Sequence, residues 1–225
     1  LDFNQGLDAR LATTEKMEKL AETAINPLRI AFDHYDTKEV YVRAIRMAAA
    51  AGIDHLSNYL LYNYEDHPEE LYLRMKINVD LCDELGVAIY SFPMKYHPIR
   101  DPKYFRNRDF VGVHWNRKFV RAVQAVLNAT KGKIGRGKSF FAEAFGQDVD
   151  GFFDILWMPE TFIIERMKYK ENLTKEWRAA FLALDGVLRE EARALIAANN
   201  FSEDIVSRVH SAEVREVLRY YQIRK

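Results

Sequence analysis

The chain has 225 residues, of which 48% are hydrophobic and 29% are charged, a composition typical of a globular protein that can bury a full core. Its 33 lysines and arginines balance its 33 aspartates and glutamates, which excludes a global field that would attract nucleic acid or an anionic membrane. The single cysteine, Cys82, excludes an internal disulfide and a cysteine-rich zinc or iron–sulfur site built by this chain alone.

Short β-rich runs alternate with amphipathic helical patterns in the first part of the chain. In chain order they are a strand at 1–5, a helix at 13–25, a strand at 28–34, a helix at 37–51, a strand at 55–63, a helix at 68–85 and a strand at 87–94. This alternation predicts a parallel sheet with right-handed crossovers. The strands are nearly continuous apolar runs, as expected when both faces of the sheet are covered.

The second part of the chain has a different character. Residues 100–114 are polar and contain a proline, which indicates a linker or an ordered excursion. Residues 115–225 have mainly helical periodicity, including two helical periods around Gly186 and a short helix near the end. We therefore expect a helical region, residues 115–225, packed against an α/β region, residues 1–99.

The beginning of the chain carries an expectation of its own. An apolar strand starts at Leu1 with no methionine before it, which indicates a piece of a longer protein. A parallel sheet that lacks its first strands has an open edge at residues 1–5, and we expect either a homodimer through this edge or cover from the C-terminal helices. The chain has neither an apolar run of about 18 residues nor a signal peptide, which favours a cytoplasmic protein.

Polar side chains follow each predicted strand, where parallel (β/α) proteins carry their chemistry. They are Asn4, Gln5, Asp8 and Arg10, then Asp33, His34 and Asp36, then Asn63, Glu65 and Asp66, and finally Lys95 and Tyr96. Such a pattern suits a polar ligand bound across the ends of the strands. The alternative is that these residues are ordinary loop residues and helix caps.

Four segments carry a resemblance to a known family. NQGLDARL, LRIAFDHYD, YLLYNYEDHPEELYLRM and GVAIYSFPMKY, within residues 1–99, resemble the third to sixth strands of radical S-adenosylmethionine (SAM) enzymes. The resemblance implies half of a partial parallel (β/α) barrel followed by an all-α region. It also implies that the intact parent cleaves SAM to a 5′-deoxyadenosyl radical that acts on an unknown substrate.

The family holds SAM on a 4Fe–4S cluster bound by a CxxxCxxC loop after the first strand. This chain lacks that loop, and Cys82 cannot replace three ligands, so the resemblance implies a cofactor set that is complete only in the parent. We expect the isolated chain to be inactive.

The resemblance also implies which residues of this chain contact SAM. Gln5 would meet the amino group, with Arg10 close behind it, and Asp33 would meet the ribose or the methionine part. Arg43 or Arg46 would reach the carboxylate, which a guanidinium binds bidentately. Asn63 stands where the family often has a glycine beside the adenine. Capping, backbone hydrogen bonds and ion pairs on the outer helix face are the alternatives.

A second motif predicts a different function. Gly132–Ser139, GKIGRGKS, satisfies the pattern GxxxxGK[ST] of a phosphate-binding P-loop, in which Lys138 would neutralise phosphates and Ser139 would bind Mg²⁺. The residues before it have helical periodicity, whereas a P-loop follows a strand. In FFDILWMPE, the nearest candidate for the strand that would carry the Mg²⁺-binding aspartate, Asp154 precedes the aliphatic run. A turn between helices is the favoured interpretation.

Basic and aromatic residues near this motif suggest a third possibility, a noncatalytic module that binds protein or nucleic acid. Together they would form a surface that meets phosphates or a single strand. The basic residues are Arg117, Lys118, Arg121, Lys131, Lys133, Arg136 and Lys138, and the aromatic ones are Trp115, Phe119 and Phe140. The alternative is the solvated face of amphipathic helices.

Overall fold

The computed structural model describes residues 6–134 and 137–223. Its sheet has three parallel strands, β1 (Leu28–Arg29), β2 (His55–Tyr62) and β3 (Ala88–Lys95), in the spatial order β1-β2-β3. Leu7 pairs with Ile30 in a parallel bridge, so the chain before β1 continues the same order. The predicted open edge at residues 1–5 lies outside the described residues.

Helices α1 (Thr14–Ala21), α2 (Lys38–Ala50) and α3 (Pro68–Leu85) connect these strands, as the alternating pattern predicts. Local signals set their ends. The Thr13 side chain accepts a hydrogen bond from the Lys16 amide at the start of α1. Helix α3 begins with a proline and ends at Gly86, whose φ of 67° favours glycine.

Strand β1 is much shorter than the predicted strand 28–34, because the main-chain carbonyls of Phe32 and Asp33 form hydrogen bonds outside the sheet. The Phe32 ring stacks on Tyr41 of α2 at 4.1 Å between ring centroids. The carbonyl oxygens of Phe32 and Asp33 accept hydrogen bonds from the Arg74 guanidinium instead of from a neighbouring strand. A long-range side chain therefore ends the strand.

A buried polar network fixes α2 and α3 against one face of the sheet. The Asn58 amide of β2 donates to the Tyr41 hydroxyl at 2.6 Å, and this hydroxyl donates to Asn78 of α3 at 2.8 Å. The Asn78 amide then donates to the Ser91 hydroxyl of β3 at 2.7 Å. These three bonds join both helices to both strands and so fix the register between them. Asn58 Oδ1 is buried and has no hydrogen-bond partner among the described residues.

The opposite face of the sheet contradicts the expectation that both faces are covered. Side chains alternate along a strand, so the neighbours of Ser91 in β3, Tyr90 and Phe92, point away from α2 and α3. Tyr90, Phe92 and Met94 are 51%, 47% and 48% exposed. We name this surface the open face; its members are Arg29, Ser57, Tyr59, Leu61, Tyr90, Phe92 and Met94, which share one side by register. The face is exposed along β3, whereas Ser57 and Arg29 are buried at 1% and 9% exposure.

Residues 97–116 leave the sheet and return to it as an ordered segment, which is one of the two interpretations given above for residues 100–114. The segment contains one helical turn, α4 (Pro102–Phe105), and returns to the sheet at Gly112. A Cβ atom at Gly112 would lie 2.4 Å from the Tyr64 carbonyl oxygen, so only glycine fits this close approach.

The rest of the described chain is helical, as predicted for residues 115–225. The helices are α5 (Arg117–Ala129), α6 (Lys138–Phe145), α7 (Val149–Trp157), α8 (Glu160–Ile164), α9 (Arg166–Tyr169), α10 (Leu173–Ala183), α11 (Gly186–Ala197), α12 (Glu203–Arg208) and α13 (Ala212–Arg219). Helix α3 packs against α6 and α7, so one apolar core extends from the sheet into the helical region. Among the described residues, every helix is too short or too polar to span a lipid bilayer.

Candidate functional site

The ends of the parallel strands bring several of the predicted site residues to one edge of the sheet. Asp8 and Arg10 follow the Leu7 bridge, Asp33 follows β1, Asn63 follows β2, and His97 follows β3. We call this the carboxyl edge. Gln5, the remaining predicted residue on this side, lies outside the described residues.

Arg10 forms an ion pair with Asp8 at the surface of the carboxyl edge. Its Nη2 lies 2.7 Å from Asp8 Oδ2, and its Nε donates to Asp8 Oδ1 at 2.9 Å. These hydrogen bonds lower the pKa of the Asp8 carboxyl to about 2. A ligand carboxylate at Arg10 would therefore have to compete with an ionised Asp8.

Asp33 has an exposed side chain at the end of β1, while its main chain is fixed. Its carbonyl oxygen accepts a hydrogen bond from Arg74 Nη1 at 2.8 Å. Arg74 Nη2 donates to the Leu61 carbonyl at 2.8 Å and to Asp66 Oδ2 at 3.1 Å. The guanidinium of α3 therefore holds the ends of β1 and β2 together and leaves the Asp33 carboxylate available to a ligand.

Arg74 and Asp66 are a buried ion pair that was not predicted from the sequence. Arg74 is fully buried, and burial lowers its pKa and raises that of the Asp66 carboxyl, although the pairing opposes both changes. The Trp115 indole donates to the Asp66 carbonyl at 2.8 Å, which attaches the start of the helical region to the same edge. These residues support the site without lining it.

Asn63 is fully buried and connects the end of β2 to the excursion. Its amide nitrogen donates to the carbonyls of Phe110 at 3.1 Å and Tyr96 at 3.4 Å, and its Oδ1 accepts from the Gly112 amide at 3.0 Å. Its φ of 68° lies in the left-handed region that glycine and asparagine adopt most readily. Asparagine adopts this conformation more readily than most residues, which explains why it can stand at a position where the family that the sequence resembles often has glycine.

His97 is the polar group at this edge that the sequence patterns did not single out. Both of its ring nitrogens are buried, and neither has a hydrogen-bond partner among the residues that the structure describes. Beside it, Tyr96 packs on Tyr64 at 4.3 Å between ring centroids. A buried imidazole without a partner is costly, so His97 is a candidate for binding a polar ligand.

Arg43 and Arg46, one of which was expected to reach a carboxylate, lie on the exposed surface of α2. Arg46 Nη2 is 2.9 Å from the Glu84 carboxylate in the last turn of α3. Helix α2 starts at the carboxyl edge and runs back along the sheet, so Arg46 lies toward the opposite end. Arg46 therefore forms an ion pair on the outer face of the helix, which was the alternative to binding the carboxylate of a ligand.

The open face adjoins the carboxyl edge and is aromatic. The Tyr59 and Phe92 rings lie 5.9 Å apart between centroids. The Arg29 guanidinium lies 4.9 Å from the Tyr59 ring centroid, and its Nε donates to Ser57 Oγ at 3.2 Å. Aromatic rings beside a guanidinium on a partly exposed sheet face can bind a flat, partly polar group.

The described residues of Gly132–Ser139 follow α5 and end in the first turn of α6, which begins at Lys138, as the favoured interpretation of a turn between helices predicts. The strand that a P-loop follows is replaced by α5, and the segment considered for the second strand forms helix α7 instead. Asp148 starts α7 by accepting a hydrogen bond from the Gly151 amide at 2.8 Å. Lys138 Nζ lies 3.6 Å from Asp80 Oδ1 of α3, so the lysine of the motif is already paired with a carboxylate.

The predicted basic and aromatic surface is largely neutralised or buried where the structure describes it. The Arg121 guanidinium donates two hydrogen bonds to the Glu160 carboxylate. Arg117 Nη2 lies 3.9 Å from Asp109 Oδ2. Trp115, Phe119 and Lys118 are buried, which corrects their predicted place on the surface. Lys133 is exposed, and Arg136 lies outside the described residues.

The residues of this chain do not fit an iron–sulfur cluster. Cys82, the one cysteine of the sequence, is buried in α3, where its sulfur accepts a hydrogen bond from the Ile89 amide. Within the described ranges, no three histidine, cysteine or acidic side chains group as metal ligands. Any cluster would need cysteines supplied from outside this chain.

Comparison of the chain with protein-family models, with curated proteins and with solved structures finds no match. Because a fold alone does not determine a function, the residues of the site are the basis for assigning one.

Proposed function

We propose that the carboxyl edge and the open face bind S-adenosylmethionine, and that the chain is the SAM-binding half of a cytoplasmic radical SAM enzyme. In that enzyme, SAM would be the source of a 5′-deoxyadenosyl radical for hydrogen abstraction from the substrate, and a 4Fe–4S cluster held by other residues of the parent would supply the electron. The fold in this proposal is half of a partial (β/α) barrel followed by a helical extension.

The single observation that carries the proposal is the second face of the parallel sheet, whose β3 side chains Tyr90, Phe92 and Met94 are about half exposed. The strands follow one another in spatial order, and α2 and α3 pack on the same side. In a doubly wound sheet helices cover both faces, whereas in a (β/α) barrel the second face lines the interior. The exposed rings of Tyr90 and Phe92 favour the barrel arrangement.

The chemistry of the two surfaces suits the parts of SAM. The exposed Asp33 carboxylate can accept hydrogen bonds from ribose hydroxyls, and Arg10 can bind the carboxylate in competition with Asp8. His97 offers two ring nitrogens without partners among the described residues. Tyr59 and Phe92 present aromatic faces to the adenine.

The cluster and the radical chemistry are assigned to residues of the parent that this chain does not contain. The role of the chain is to bind SAM, to orient it and to exclude water from one side of the site.

We expect the Asp33→Ala variant to bind SAM at least about tenfold more weakly than the native chain, because one charge-assisted hydrogen bond contributes about 1.5–3 kcal/mol. Isothermal titration calorimetry measures both affinities. The matched control is Asp36→Ala, which removes an exposed carboxylate three residues further along the chain and leaves affinity unchanged. Equal affinities for SAM in the native chain and in Asp33→Ala would show that Asp33 does not contribute to SAM binding.

ATP serves as the competing ligand in the same experiment. If the phosphate-binding interpretation of Gly132–Ser139 were correct, ATP would bind and Lys138→Ala would abolish that binding. The proposal predicts that Lys138→Ala leaves the affinity for SAM unchanged, since Lys138 contacts acids of α3 on the helical side.

A further inference from the structure

A cavity of about 490 Å³ lies along the outer edge of β3, the last strand of the described sheet. The turn that follows α5 forms its second wall. The lining residues are Ala88, Ile89, Tyr90, Ser91 and Phe92 of β3 and Lys131, Gly132, Lys133 and Ile134 of the turn. The cavity adjoins the open face at Tyr90 and Phe92, and its lining includes no residue of the carboxyl edge.

Two exposed aromatic side chains belong to this cavity. Tyr90 and Phe92 are each about half exposed, whereas Ile134 on the opposite wall is buried. Exposed rings offer flat faces on which an aromatic ligand can stack. Trp115 and Phe119, which the sequence suggested for this role, are buried in the core. Tyr90 and Phe92 therefore supply the aromatic surface that the sequence placed elsewhere.

Lys131 and Lys133 bring two positive charges to the same cavity. Both side chains are exposed, and neither lies within ion-pair distance of a carboxylate in the part of the chain that the structure describes. By contrast, Lys138 of the same glycine-rich segment is paired with Asp80. A lysine carries its ammonium on a flexible four-carbon chain, so Lys131 and Lys133 can both reach an anion bound at this cavity.

The backbone of the turn keeps these two lysines beside β3. The Gly132 amide donates to the Leu127 carbonyl at 2.7 Å, and the Lys133 amide donates to the Thr130 carbonyl at 3.1 Å. The φ angles of Lys131 and Gly132 are 54° and 73°, in the left-handed region. Glycine and asparagine adopt this region more readily than lysine, so the backbone gives no reason for a lysine at position 131.

A main-chain donor of β3 also faces the cavity. The amides of Ala88 and Tyr96 donate to the Asp54 and Tyr62 carbonyls on the β2 side. Successive amides of a parallel strand alternate between its two edges, so the Ser91 amide points to the outer edge. Ser91 is 5% exposed, and its amide has no acceptor among the residues described. Because an unpaired buried amide is costly, this group suits an acceptor oxygen of a ligand.

We propose that this cavity binds a small aromatic phosphate ester of the mononucleotide kind. Its ring would stack on Tyr90, its phosphate would lie between Lys131 and Lys133, and one of its oxygens would accept a hydrogen bond from the Ser91 amide. The two lysines are complementary in charge to a phosphate dianion. The volume is in the range of small-molecule sites, about 300–1,000 Å³, and fits one nucleotide rather than a strand.

This site is separate from the proposed SAM binding and does not depend on it. Phe92 also belongs to the contacts proposed for SAM, so the test is carried out without SAM. Uridine 5′-monophosphate (UMP) is the probe, and isothermal titration calorimetry on the full chain measures its affinity. Uridine and inorganic phosphate, which each lack one half of the contacts, should bind at least about tenfold more weakly. The proposal is wrong if UMP does not bind at millimolar concentration or if phosphate binds as tightly as UMP.

Variants of the two lysines test the position of the phosphate. The double variant Lys131→Asn, Lys133→Gln removes both charges and keeps at position 131 a residue that adopts a positive φ readily. We expect it to bind UMP at least about tenfold more weakly. The matched control is Lys168→Gln, Lys175→Gln, which removes two exposed lysines elsewhere and leaves the affinity unchanged. Native affinity in the first double variant would overturn the proposal.

Tyr90→Leu tests the position of the ring, because leucine keeps an apolar side chain but offers no aromatic face. We expect UMP to bind at least about fivefold more weakly to this variant, with the affinity for inorganic phosphate unchanged. The Ser91 amide resonance should shift on addition of UMP to the native chain. Equal affinity of Tyr90→Leu and the native chain for UMP would contradict the stacking.

Three further measurements separate this site from its rivals. Lys138→Gln should leave UMP binding unchanged; loss of binding in this variant would place the phosphate in the P-loop pattern and overturn the proposal. Asp33→Ala should also leave it unchanged, so a failure of SAM binding and a failure of this site are distinguishable. A ten-residue oligouridylate that binds more than about tenfold more tightly than UMP would overturn the assignment to a small ligand.

Discussion

Replacing Arg74 with methionine should lower the free energy of unfolding by about 3–5 kcal/mol, the usual cost of removing one partner of a buried ion pair. The guanidinium donates to the carbonyls of Phe32, Asp33 and Leu61 and to the Asp66 carboxylate. Methionine fills a similar volume but leaves these buried acceptors without a donor. Urea unfolding of the native chain and the variant measures the difference.

Arg46→Met is the matched control for Arg74→Met. It removes an arginine whose ion pair with Glu84 is about half exposed, and such pairs contribute at most about 1 kcal/mol. Arg74→Lys keeps a charge and some donors, so its stability should lie between those of the native chain and Arg74→Met. If Arg74→Met and Arg46→Met were equally stable, Arg74 would not hold the strand ends together.

The second large effect is expected at Asn63. Asn63→Ala should destabilise the chain by about 2–4 kcal/mol, because it leaves the Phe110 carbonyl and the Gly112 amide without a partner and places alanine at a positive φ. Thermal and urea unfolding measure this loss. Glycine relieves the backbone strain but restores no hydrogen bond.

Comparison of two Asn63 variants therefore separates the two causes. Asn63→Gly should be about 1 kcal/mol more stable than Asn63→Ala, and the remaining deficit is the contribution of the hydrogen bonds. Hydrogen exchange at residues 97–112 should rise in both variants, since both lose the connection to β2. Unchanged exchange there would contradict the role assigned to Asn63.

The alternation of strands and helices could be predicted from the sequence because local signals set it. Helix α3 spans the predicted residues 68–85, which begin with a proline and are followed by Gly86. The short helices between residues 138 and 169 were not predicted individually. They are four to nine residues long and are separated by residues such as Gly146 and Pro159, too short for a clear period.

The supporting residues of the site were harder to predict because charged side chains in a helical pattern usually face solvent. Arg74 comes three residues after Leu71 and four before Asn78, and both of those are buried. That spacing is the signal that could have placed Arg74 on the inner face of α3. Lys118 occupies a similar inward position in α5, where only tertiary packing reveals its burial.

Polar residues after each strand could be placed at the carboxyl edge from sequence, but their roles could not. Asn63 stabilises the backbone, and Arg46 pairs with Glu84 on the helix surface. His97 follows the last strand and was not singled out, because its missing partners are visible only after folding.

The most direct measurement for the central claim is a titration of the isotopically labelled chain with SAM, followed by the backbone amide resonances. We expect shifts at Asp33, Asn63 and His97 and at the open face, with none at Arg46 or in α10–α13. No shift at saturating SAM, or shifts confined to residues 132–139, would contradict it.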